Sequence, residues 1–153
     1  MTDIKISVHG LEHLERKLGP DLINAPVRDM FNRAGEEYLN FGKVRSPVDQ
    51  GLLKSSLAKG ANNGIFELDT RVPPLFVKVG TSHVSRQGFP YPVALDESPR
   101  YHYRGGGAQG SAVRGAPTQG WFTGIQALPA FLDRFREIIR GAERAIKARW
   151  DRR

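Results

Sequence analysis

A chain of 153 residues and 17.0 kDa, 39% hydrophobic and 25% charged with 17 Gly and 10 Pro, has the composition of one globular domain with extra loop, which excludes collagen, coiled coil and full disorder. It contains no cysteine, which removes disulfide frameworks, thiolate nucleophiles, zinc fingers and iron–sulfur clusters, and no apolar run near the about 18 residues of a membrane span. The net charge of +7 lies in the last third: residues 98–132 hold three cations and no acid, residues 133–153 hold eight cations against four acids, and residues 1–97 balance.

The opening Met1-Thr2-Asp3-Ile4-Lys5 lacks the basic and apolar regions of a signal peptide, so a soluble chain without a cleaved leader is expected. Ile4, Ile6 and Val8 alternate with Lys5 and Ser7, a period of two that predicts a short strand ending at Gly10. Leu11, Leu14 and Leu18 predict a helix of about two turns, stopped by Gly19-Pro20. From Asp21 onward, Val27, Met30, Phe31, Ala34, Tyr38, Phe41 and Val44 form one stripe, with Arg28, Asp29, Arg33, Glu36, Glu37 and Lys43 opposite. The pattern predicts a long helix with Asn24 as N-cap and Pro26 in the first turn, ending near Arg45 before Ser46-Pro47.

Asp49 is placed to cap a short helix over residues 51–57. Two strand-like runs follow, at 65–70 and 75–80. Residues 98–120 then carry six glycines, two prolines and no acid, and are expected to form an arm that orders on a partner. Beyond it, Leu128, Phe131, Leu132, Phe135, Ile138, Ile139, Ala142, Ile146 and Trp150 predict a terminal amphipathic helix of about twenty residues, with Pro129 near its first turn. The expected fold is α+β: a small, mostly antiparallel sheet packed by one long helix, in a single domain. It divides into a core at 1–97, the Gly-rich basic arm at 98–120, and a C-terminal helix at 121–153 packed on the core.

Catalytic constellations are thin. His9, His13, His83 and His102 have no spacing typical of a metal helix. Glu36-Glu37 are adjacent and point apart on a helix, and Asp96-Glu97 read as the end of a strand in preference to an acid–base pair. Gly105-Gly106-Gly107 lacks the flanking strand and helix of a phosphate loop, and Ser55-Ser56 lack a nucleophile elbow. No catalytic, cofactor-binding or metal-ligating residue is therefore expected, and no cofactor. Arg100-Tyr101-His102-Tyr103-Arg104 interleaves rings with cations, a pattern that suits stacking and phosphate but is more often an interface motif. The cations of the terminal helix are mixed with Asp133, Glu137, Glu143 and Asp151, which favours ion pairing over a continuous phosphate track.

These residues line up in order with a known pattern. Ile4 to Leu14 gives a strand, a Gly-Leu and a Leu-spaced helix; Ser46-Pro47-Val48-Asp49-Gln50-Gly51-Leu52-Leu53-Lys54-Ser55-Ser56-Leu57 follows the long helix. Val79-Gly80-Thr81 comes next, then Tyr91 with Asp96 five residues on, and Trp121-Phe122 before the terminal helix. The sequence resembles the small morphogenesis proteins of long-tailed bacteriophages, the neck, head–tail joining, tail-completion or minor tail components. It departs from them in Gln50 for Thr, Pro92 for Ala, Ser98 for Gly, and an enlarged Gly-rich insertion before Trp121.

The resemblance implies a structural virion protein, assembled in the host cytoplasm into a homo-oligomeric ring, sixfold like the tail tube. Its partners would be a tail-tube or tail-terminator protein and a head-closure or connector protein. The basic surplus of the last third adds the expectation of non-specific contact with passing DNA, and the lack of an apolar span that of no membrane contact. Pro47, Asp49, Gly51, Leu52 and Ser55 would form a structural corner that fixes geometry and carries no chemistry. Arg100, Tyr101, Tyr103, Arg104, Arg114, Trp121 and Phe122 are the candidate inter-subunit or DNA-facing contacts. The rival reading is a non-specific nucleic-acid-binding protein that uses the basic last third.

Overall fold

The computed structural model describes residues 2–8, 19–47, 52–70, 75–102 and 116–152. Three strands, β1 (Thr2–Val8), β2 (Gly64–Asp69) and β3 (Leu75–Thr81), form an antiparallel sheet in the order β1-β3-β2. The register sets Ile4 and Phe66 on either side of Val79, and Ile6 and Leu68 on either side of Val77. Alternation therefore gathers the apolar residues of all three strands on one face. Leu75, Val77 and Val79 at its centre are buried, while Lys5 and Ser7 face solvent. The opposite face is polar: the Lys78 ammonium lies 2.9 Å from the Asp3 carboxylate, and Lys5 sits 4.1 Å over the Phe76 ring.

The long helix α1 (Pro20–Arg45) lies on the apolar face. Gly35 sets the distance: a Cβ there would stand 2.9 Å from both Phe66 and Val77, so only glycine admits the helix this close. The helix begins before the expected cap. Gly19, at φ +81°, and Pro20 open it, and Asn24 is an exposed residue within it. Pro20 has its ring-fixed φ already in the helical range and lacks an N–H the first turn would leave unpaired, so Gly19-Pro20 starts this helix. Pro26 consequently falls inside the helix and not in its first turn. The expected stripe is buried from Val27 to Tyr38, but Val44 is 46% exposed because the helix outruns its cover. Ile23 and Leu39, outside that stripe, are also buried, since α1 is covered by both the sheet and the terminal helix.

A five-residue helix, α2 (Leu52–Ser56), buries Leu53 and Ser56. Ser56 Oγ donates to Leu53 O and lies 2.7 Å from Thr81 Oγ1, tying α2 to the end of β3. The helix α3 (Tyr91–Glu97) follows, and a 3₁₀ turn (Thr123–Ala127) leads into α4 (Pro129–Trp150). Asp96-Glu97 thus end a helix, correcting the expected strand end; Tyr91 to Glu97 is too short for a helical period to show. α4 runs antiparallel along α1: Phe131 meets the rings of Tyr38 and Phe41 edge-on at 5.1 and 5.7 Å, and Gly141 lies beside Arg33. Its stripe is buried or half-buried as far as Ile146, but Trp150 is 53% exposed. The expected helix at 11–18 lies outside the described residues.

Candidate functional site

The described residues at the two ends of the Gly-rich segment, 98–102 after α3 and 116–120 before the 3₁₀ turn, are held together. Thr118 N donates to Tyr101 O at 2.9 Å, and His102 bridges Pro117. The Thr118 hydroxyl, fully buried, lies within hydrogen-bonding distance of Leu95 O and Tyr101 O, at 2.8 and 3.2 Å. Gly120 N donates to Asp96 O at 2.8 Å, and Gln119 Nε2 reaches Glu97 O.

Asp96 organises the next step of the chain. One carboxylate oxygen accepts from the backbone N–H groups of Phe122 and Thr123, at 2.8 and 3.2 Å, and the other accepts from the Thr123 hydroxyl at 2.8 Å. This is the capping chemistry of a helix start, supplied by a residue 26 positions away. Tyr38 from α1 donates its hydroxyl to Phe122 O at 2.7 Å, and Arg45 Nε donates to Trp121 O at 3.2 Å. Burial pushes the Tyr38 hydroxyl pKa well above the ordinary tyrosine value, and the neighbouring Asp96 carboxylate adds to that rise. The arrangement is a clasp: polar groups hold residues 118–123 against α1 and α3. Its carboxylate is occupied by three donors, so its chemistry is geometric.

Of the expected contacts, Trp121 and Phe122 are corrected. Both are fully buried, the Trp121 indole donating to Pro92 O at 3.2 Å and the Phe122 ring meeting Tyr38 edge-on at 5.1 Å, so neither offers a surface to a neighbour or to DNA. Arg100 is exposed and Tyr101 is 42% exposed at the root of the arm. Tyr103, Arg104 and Arg114 lie outside the described residues, as do Asp49 and Gly51 of the corner motif. Pro47 follows the end of α1, Leu52 opens α2 with its side chain exposed, and Ser55 donates back to Leu52 O at 2.9 Å. Asp96 and Thr118 are the site residues that sequence reasoning missed. Asp96 stood in the resemblance as a carboxylate after Tyr91, but nothing local marks it as a cap for residues so distant.

A second polar region lies between α1 and α4, an open groove of about 690 Å³. At its inner end charges are matched: Arg134 lies 3.9 Å from Glu37 and 3.1 Å from Glu137. Outside the groove on the same half of α4, Arg136 lies 2.9 Å from Asp133. At the outer end of the groove Arg140 and Arg144 border it, and with Lys147 they form no ion pair among the described residues. The ion pairing expected for the terminal helix is seen at Arg134 and Arg136. Among the described residues no three His, Asp or Glu side chains converge as a metal site, and no helix is long and apolar enough to cross a membrane. No protein-family model, curated protein or solved structure matches the chain.

Proposed function

We propose that this chain is a structural virion protein at the head–tail junction of a long-tailed phage, a neck or tail-completion protein whose ring joins the tail tube to the head connector. The sequence resemblance, sharpest at Ser46 to Leu57, supplies the family. The observation that carries the role is the clasp: Thr118, Asp96, Tyr38 and Arg45 fasten both roots of the Gly-rich segment to the core. A segment fixed at its base can transmit a contact with a neighbour into the body of the protein. A closed ring needs such a heterologous contact, one patch meeting a different patch on the next copy.

Deleting residues 105–115 tests this reading. The deletant is expected to keep the wild-type thermal transition while losing the ability to join heads to tails in an assembly reaction. A deletant that joins them as well as wild type overturns it.

A further inference from the structure

The outer half of α4 presents its cations differently from the inner half. Arg140, Arg144 and Lys147 are exposed and stand four and three residues apart, which sets them on one face of the helix. None forms an ion pair among the described residues, whereas Arg134 and Arg136 are matched to Glu37, Glu137 and Asp133. The acids that line the groove with Arg140 and Arg144 have other partners, Glu37 and Glu137 pairing with Arg134 and Glu36 with Lys59, while Glu143 flanks the face and Asp151 lies just beyond it. Across the groove Arg33 adds a fourth cation, its own acid Asp29 a distant 3.9 Å away. Gly141 leaves the floor between them bare: a Cβ there would meet only the Arg33 guanidinium, at 3.8 Å.

We propose that this face binds the phosphodiester backbone of nucleic acid without sequence preference. Arg140 to Lys147 spans about 10 Å of helix at 1.5 Å per residue. One strand of duplex DNA presents a phosphate per about 3.4 Å of axis, so three cations meet about three phosphates over that length. The groups are donors only, on flexible stems, and reach backbone oxygens without reading base edges. The face itself offers charge and no large apolar anchor of the kind a protein hot spot needs; Trp150 borders it at one end. The inference stands apart from the assembly reading, since the face would bind phosphate whether or not the chain forms a ring.

The test is fluorescence anisotropy of the full chain with a short, labelled, mixed-sequence duplex between 50 and 200 mM salt. Arg140→Gln/Arg144→Gln/Lys147→Gln is compared with wild type and with Arg134→Gln/Arg136→Gln, all checked by thermal unfolding. Each phosphate contact contributes about 0.9 to the slope of log affinity on log salt. The triple variant is expected to lower the slope by about 2.7, so that over this fourfold salt range wild type weakens about 40-fold more than the variant. The double variant is expected to keep a slope close to wild type. A triple variant with the wild-type slope, a double variant that loses as much, or a wild type that does not bind at 50 mM salt overturns the proposal. So does tighter binding of poly-glutamate than of duplex that the triple variant abolishes, which would assign the face to an acidic protein.

Discussion

The clasp and the outer half of α4 treat their polar groups in opposite ways. In the clasp, every polar atom of Asp96 and Thr118 is buried against a partner, and the result is a fixed backbone path from α3 into the 3₁₀ turn. On outer α4, Arg140, Arg144 and Lys147 are exposed and form no ion pair among the described residues, and the backbone beneath them is an ordinary helix. Buried polar groups in the clasp fix the backbone path, whereas the polar groups of outer α4 stay exposed to solvent.

Mutation of each region should separate the two roles. The largest effect is expected at Asp96→Ala, which strands two buried backbone N–H groups and a hydroxyl and should cost roughly 3–5 kcal/mol in denaturant unfolding. A cost below about 1 kcal/mol would mean that the turn is held by its apolar contacts and that the clasp is incidental. Gly35→Ala comes next, at about 1–3 kcal/mol, because the new methyl must displace Phe66 and Val77. The sign is diagnostic, since the same change in an open helix stabilises by up to about 1 kcal/mol.

Tyr38→Phe should cost about 1–2 kcal/mol by leaving the Phe122 carbonyl without its donor. The pH dependence sharpens this. The folded-state pKa of Tyr38 is raised above the unfolded value near 10, so its contribution is whole below about pH 10 and is lost as pH rises beyond it. Wild type should therefore lose stability at alkaline pH faster than Tyr38→Phe, and parallel curves would contradict the burial of that hydroxyl. The smallest effect is expected for Arg140→Gln/Arg144→Gln/Lys147→Gln, within about 0.5 kcal/mol of wild type, since these side chains hold nothing in place. A larger loss would make the outer half of α4 structural after all.

Periodicity made the sheet and the two long helices legible, because their apolar stripes are each set by one continuous surface. The stripe failed at Val44 and Trp150, where a regular pattern continues past the edge of what covers it. Gly19-Pro20 was ambiguous in principle, since the same pair can stop one helix or start the next. Trp121 and Phe122 looked like contacts because they adjoin a basic, Gly-rich stretch, yet they anchor its return to the core. Asp96 was illegible as a cap because its partners lie 26 and 27 residues away, where no local spacing points. Which cations of α4 are neutralised was equally hidden, since Arg134 borrows Glu37 from α1.

The most direct test is size-exclusion chromatography with light scattering on the purified chain, alone and mixed with tail-tube protein. The account predicts that the chain co-elutes with the tube in a ring-sized complex, and that this complex persists at salt concentrations that release duplex DNA. A chain that ignores the tube and changes its elution only with DNA would contradict the assembly role and leave a nucleic-acid-binding protein in its place.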